Sequence, residues 1–129
     1  MQKQLIKWYQ ENKRDFPWRK DQDPYHIWIS EIMLQQTTTE TVIPYYNRFL
    51  KNFPNVEALA SASLEEVYKM WEGLGYYRRA KHIHESAQII LEKYQGVFPY
   101  EYDAILSLKG IGEYTAGAIS SIAYGKQVP

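Results

Sequence analysis

Between Pro24 and Leu34 the chain places apolar side chains almost all the way round a helix. Tyr25, Trp28, Ile29, Ile32 and Met33 form one face, and Ile27 and Leu34 lie on the other. A helix that is apolar on every side must be covered on every side, so the rest of the chain has to wrap around this segment. Its start is marked by Asp23, a good N-cap residue, and by Pro24 in the first turn, where a missing N–H costs nothing. Nothing around it alternates with a two-residue period for long enough to make a sheet, so the wrapping elements are expected to be helices as well. One runs from about Gln2 to Lys13, with Leu5, Ile6, Trp8 and Tyr9 on one stripe, and stops before Phe16-Pro17. Thr37-x-x-Glu40 reads as a capping box for a helix that continues to about Asn52, with Pro44 early enough to be tolerated or to kink it. Ser63-x-x-Glu66 repeats the device for a helix ending near Gly73. A long helix follows from about Tyr77 to Gln95, stopped by Gly96. Ala104 to Leu108 and Glu113 to Tyr124 are two further helical stretches, joined by Lys109-Gly110-Ile111-Gly112. The fold class read from this pattern is all-α, and 129 residues suffice for one compact domain.

Several functions are excluded or disfavoured at once. Hydrophobic residues at 45% and charged residues at 23% argue against disorder. No apolar run approaches the roughly 20 residues that span a bilayer, and Met1 to Lys7 lack the apolar stretch of a secretory signal. The expectation is a cytoplasmic protein with no membrane partner. The absence of cysteine removes disulfides, thiol catalysis and thiolate-held zinc or iron–sulfur sites from these residues. His26, His82 and His84 form no ligand set, since His82 and His84 are two apart on a helix and point different ways, so no side-chain metal site is expected. Lysine plus arginine and aspartate plus glutamate number 15 each, which is mild evidence against a polyanion partner. Backbone N–H groups and helix N-termini can hold phosphates without formal charge, so motifs have to decide.

The segment Leu106-Ser-Leu-Lys-Gly-Ile-Gly-Glu-Tyr-Thr-Ala-Gly-Ala118 has the form of a helix-hairpin-helix. Gly110 and Gly112 would let the backbone turn tightly and approach a ligand closely. Leu108 and Ile111 would anchor the turn to the core, leaving the N–H groups that open the second helix to face a phosphate. A plain helix-turn-helix corner capped by glycine fits the same spacing, and on spacing alone both readings stand.

Taken together, Phe16-Pro-Trp-Arg19, Pro24-Tyr-x-Ile-Trp-Ile-Ser-Glu-Ile-Met-Leu-Gln-Gln-Thr37, Val42-Ile-Pro-Tyr-Tyr46, Trp71-Glu-Gly-Leu-Gly-Tyr-Tyr77 and the hairpin resemble the mismatch-directed adenine DNA glycosylases of the endonuclease-III-like superfamily. The likeness covers nearly the whole chain. It implies a helix-hairpin-helix glycosylase fold, with DNA in a cleft between a helical barrel and a second helical lobe. Residues 1–20 would be an N-terminal helix and pocket-edge segment of the second lobe, which is incomplete here. Residues 21–129 would form the barrel, with the hairpin at about 104–125.

The resemblance also implies roles. Glu31 matches the family's catalytic acid: adenine is a poor leaving group, so a proton must reach the base as its bond to the sugar stretches. A carboxylic acid does this near neutral pH only if burial raises its pKa, as the apolar surroundings of this helix would. Tyr114 stands where lyase-type relatives carry a lysine nucleophile, and tyrosine cannot form a Schiff base, which implies base removal without strand cleavage. Tyr114 also matches a residue beside the reacting sugar. Gln36 and Tyr76 match side chains that push into the base stack beside the extruded nucleotide. Thr37 and Leu34 match contacts to the opposite purine, and Trp18 and Arg19 match the edge of the adenine pocket. Gly110 and Gly112 belong to the DNA-gripping hairpin. Carbonyls of Leu106, Leu108 and Ile111 match those that can hold a cation in family hairpins. Arg78, Arg79 and Lys81 form a small basic cluster beside Tyr76, either a solvated face or a phosphate contact.

The implied function is removal of adenine mispaired with 8-oxoguanine or guanine in double-stranded DNA. A non-catalytic helix-hairpin-helix DNA-binding module is the alternative, and a helical protein–protein scaffold the more distant one. The family's second carboxylate, an aspartate, would follow the hairpin beyond Val128-Pro129, so the chain by itself is expected to be inactive. No cofactor is expected in it, while a 4Fe-4S cluster is expected in the full-length parent. The stripe on the first helix would then lack its packing partner, which implies self-association or displacement of that helix. Thr39 in place of the family's more common valine and Lys109 in place of proline are departures that leave the expected chemistry untouched.

Overall fold

A computed structural model describes residues 21–35 and 37–125 of the chain. The expected first helix with its self-association, Trp18, Arg19, Gln36 and Val128-Pro129 lie outside the described residues. Within them the order is α1 (Pro24–Met33), α2 (Thr39–Asn52), α3 (Val56–Ser61), α4 (Leu64–Trp71), α5 (Tyr77–Lys93), α6 (Tyr102–Leu106) and α7 (Glu113–Tyr124), with no strand among the described residues.

The wrapping demanded by α1 is what the packing supplies. Ile27, Trp28, Ile29, Ser30, Ile32 and Met33 are all buried, with α7 along one side and α2 against another. Each fully buried large apolar side chain contributes about 1.5–3 kcal/mol, so α1 is a main source of the domain's stability. The Asp23 side chain accepts from the Tyr25 N–H at 2.8 Å, as its capping role requires. The Tyr25 hydroxyl, buried at the same end, donates to the Phe53 carbonyl at 2.7 Å and ties α1 to the end of α2.

The cap of α2 falls one residue later than Thr37-x-x-Glu40 suggested. Thr38 is the N-cap, and its side chain accepts from the Thr41 N–H. Three consecutive threonines can each cap, and packing chooses among them. Pro44 stays inside α2 because the carbonyl it leaves without an N–H belongs to Glu40, and both residues are exposed, so water can serve that carbonyl. The Ser63 box is present: Ser63 accepts from the Glu66 N–H at 3.1 Å. α3, capped by Asn55, went unread in the sequence because six residues are too few to show a period. α6 begins two residues earlier than expected, at an N-cap, Glu101, whose side chain makes no capping bond.

α5 is the platform for the rest. It packs on α3 and α4, and His84 reaches the Ala62 carbonyl at 2.7 Å to fix the α3–α4 turn. On another side Ser86 donates to the Lys109 carbonyl at 3.0 Å, which holds the α6–α7 hairpin to the domain.

Candidate functional site

The last turn of α1, the turn that follows it, the start of α2 and the first turn of α7 surround an open cleft of about 440 Å³. That volume lies within the roughly 300–1,000 Å³ of ligand pockets. Glu31, half-buried, and Leu34 line it from α1 and its end, Thr37 from the turn, and Tyr114 from α7. Four residues singled out in the sequence thus meet at one place, although Glu31 and Tyr114 stand on different helices. Tyr114 is 80% exposed, so it is a side chain held toward solvent at the cleft and not the partly buried aromatic that packing alone would give.

Gln35, Thr38 and Thr39 also line the cleft. Gln35 and Thr38 were not singled out in the sequence, and Thr39, read there as a departure that leaves the expected chemistry untouched, stands on the cleft wall. The signal for Gln35 was available, since it follows Glu31 by one helical turn. Its amide donates to the hydroxyl of buried Thr115 at 3.3 Å and ties the end of α1 to α7 next to Tyr114.

At the hairpin, Leu108 and Ile111 are buried as anchors. Gly110 takes φ +76, and a Cβ there would come within 2.9 Å of the Cβ of His82 on α5, so this glycine is required by both conformation and space. Gly112 differs. Its φ of −93 suits any residue, and a Cβ would meet open space. It is the N-cap of α7 and offers no side chain to the orphan N–H groups behind it, which leaves them to solvent or to an anion. Glu113, exposed at the same end, adds a negative charge. A phosphate here would be held by N–H groups rather than by net charge. Of the three carbonyls considered for a cation, that of Leu108 accepts the Ile111 N–H at 3.4 Å.

Tyr76 does not line the large cleft. It borders a neighbouring crevice of about 10 Å³ with Thr37, Gly75 and Arg79, and Thr37 belongs to both spaces. Tyr76 is the N-cap of α5 in the left-handed region, φ 56 and ψ 57, which a residue with a Cβ adopts at a cost. The residue is 62% exposed, and the Arg79 guanidinium lies 5.2 Å from its ring centroid. Trp71 donates from Nε1 to the Gly75 carbonyl at 3.0 Å and fixes the loop on the other side.

Among the described residues no three His, Asp or Glu side chains gather as a metal site. The chain contains no cysteine, so its own residues do not fit a 4Fe-4S cluster. No helix of the described residues is long and apolar enough to cross a membrane.

Residues 29–126 match the family described as HhH-GPD superfamily base excision DNA repair protein. The adenine DNA glycosylase of Buchnera aphidicola from Acyrthosiphon pisum is 50% identical over 120 residues, covering 92% of this chain and 34% of that protein. The human adenine DNA glycosylase is 45% identical over 131 residues, covering 95% of this chain and 24% of that protein. The chain therefore spans about a third or less of the length of these relatives. Among solved structures, a thermostable thymine-DNA glycosylase superposes with a TM-score of 0.83 at 34% identity, over 95% of this chain and 57% of that one. A non-covalent endonuclease III–DNA complex superposes with a TM-score of 0.75 at 24% identity, over 97% of this chain and 61% of that one, which bears on the fold.

Proposed function

The chain belongs to the HhH-GPD superfamily of base excision DNA repair proteins, and from that premise we propose that it carries the proton-donating half of an adenine-removing active site. The observation that supports this reading most directly is the shared cleft of Glu31, Thr37 and Tyr114. Glu31 gives a proton to the leaving adenine while the bond between base and sugar breaks; water then adds its hydroxyl to the sugar carbon, and its remaining proton restores the Glu31 carboxyl directly or through solvent. Tyr114, beside the sugar, offers no amine for a covalent intermediate, so the reaction stops at base release. Gly112 and the first N–H groups of α7 hold the DNA backbone. Tyr76 and Gln36 enter the stack where the target has been turned out, Thr37 and Leu34 face the opposite purine, and Trp18 and Arg19 close the adenine pocket. Adenine as the base rests on identities of 42–50% with adenine DNA glycosylases against 34% with the thymine-directed structure. The preferred substrate is adenine opposite 8-oxoguanine or guanine. A cation on the hairpin carbonyls, a 4Fe-4S cluster held by the remainder of the parent protein, and a cleft closed by a second lobe to which residues 1–20 belong complete the proposal.

The test grafts this chain into the Buchnera relative in place of its matching residues and measures adenine release from an adenine·8-oxoguanine duplex. Release is expected from the graft, and Glu31→Gln should slow it about 10²–10⁴-fold, the range of a lost general acid, with duplex binding retained. Native release by Glu31→Gln removes Glu31 from the chemistry. A graft that binds the duplex and releases nothing would leave a binding module.

A further inference from the structure

Tyr76 is a largely exposed residue, so little of the surrounding protein holds its side chain in place. The guanidinium of Arg79, one turn into α5 and 5.2 Å from the centroid, is the cation placed against it. Arg79 is half-buried, and no carboxylate among the described residues pairs with it. The two residues are also joined through the backbone, where the Arg79 N–H donates to the Tyr76 carbonyl at 2.9 Å in the first turn of the helix. That bond is accepted by the carbonyl of the left-handed residue itself, so the helix start that carries the strained backbone of Tyr76 also fixes the residue that stacks on its ring.

We propose that Arg79 is a positioning residue for Tyr76: stacked on the phenol, it sets the ring in its inserting orientation before DNA arrives, and its charge serves the ring and not a phosphate. This rests on the reading of Tyr76 as the side chain that enters the base stack. A ring ordered in the free protein has less freedom to lose on binding, so the gain appears as affinity and as occupancy of the inserted state. Arg78 and Lys81, exposed on the same helix, are left as the candidates for phosphate contact.

Two measurements on the 129-residue chain test the proposal. In the free protein, NMR should find the Arg79 side-chain protons shifted upfield by the ring, and Tyr76→Leu should return them to ordinary positions. Ordinary positions in the unsubstituted chain overturn the stack. In the second, a duplex with 2-aminopurine beside the mispair is titrated with the chain and with Arg79→Ala, Arg79→Met, Tyr76→Ala and the double variant Tyr76→Ala/Arg79→Ala. Arg79→Met keeps the apolar stem and so preserves packing if the alanine variant folds poorly. Each Arg79 variant should weaken binding about two- to fivefold, the scale of one exposed cation–π contact. Each should also lose most of the fluorescence rise, leave the salt dependence of binding unchanged, and add nothing once Tyr76 is alanine. A salt slope reduced by about 1, or losses that multiply in the double variant, would make Arg79 a phosphate contact and overturn the proposal. Loss with Tyr76→Ala and none with either Arg79 variant overturns it alone. Native behaviour of Tyr76→Ala removes the inserting role of Tyr76 and this proposal with it.

Discussion

Gly110 and Gly112 look equivalent in the sequence, two glycines spaced by an isoleucine, yet they do different physical work. Gly110 holds φ +76 with His82 of α5 packed where its Cβ would be, whereas Gly112 has an ordinary backbone and open space in front of it. Gly110→Ala should therefore lower unfolding free energy by about 1–3 kcal/mol, the cost of a strained residue that its surroundings cannot relieve. Gly112→Ala exchanges a slightly better cap for a stiffer unfolded chain, and these offset to within about 0.5 kcal/mol. Its methyl group would instead stand between α7 and an approaching phosphate. Urea unfolding and duplex titration of both variants separate the roles: Gly110→Ala is expected to lose stability and Gly112→Ala affinity. Native affinity in Gly112→Ala would mean that the start of α7 does not grip DNA. Single residues of the cleft were legible in unequal measure for a similar reason. Glu31 sits within a motif, while Gln35 matters through a bond to Thr115 far along the chain that no local spacing encodes.

At the scale of elements, what was legible is what carries local chemistry. Asp23 and Ser63 announce α1 and α4 because their side chains bond the first turn, and both bonds are present. Where the start has no such bond, as at Glu101, or offers several, as at Thr37-Thr38-Thr39, the boundary moved. Ser63→Ala should cost about 1 kcal/mol, read as an earlier urea midpoint. A contrasting substitution lies on α7, which packs along α1. Ser120 is fully buried there, and its hydroxyl has no hydrogen-bond partner among the described residues. Removing an unsatisfied polar atom while improving helix propensity makes Ser120→Ala stabilising by about 0.5–1.5 kcal/mol. A later midpoint with an unchanged slope is the expected sign. An earlier one would show that the hydroxyl is served by water.

For the whole molecule, the apolar ring of α1 dictated a helical shell, but which helices meet across the cleft is a matter of tertiary packing. Periodicity places Glu31 and Tyr114 on separate helices and is silent about their meeting, which the family likeness implied and the packing of α1 on α7 explains. That packing has a global signature in two buried phenols. Burial, with Asp23 and then Tyr46 adding to it, holds the Tyr25 hydroxyl far above its ordinary value of 10.0. Burial, with Asp21 and then Asp23 adding to it, does the same for Tyr46. The folded protein keeps both protons at a pH where unfolded tyrosines release theirs. Their contribution is therefore complete below the ordinary tyrosine value and is lost as pH rises above it. Each should make stability fall by about 1.4 kcal/mol per pH unit there. Lysines titrate in the same range, so the decisive quantity is the difference between the chain and its Tyr46→Phe and Tyr25→Phe variants, in which the lysine contribution cancels. Unfolding by urea followed from neutral pH to strongly alkaline pH should give each variant a shallower alkaline decline than the parent. Tyr25→Phe should also be weaker at neutral pH by about 1 kcal/mol, because the bond to the Phe53 carbonyl is gone. Parallel declines in parent and variants would mean that water reaches both phenols and that the shell around α1 is looser than its burial indicates.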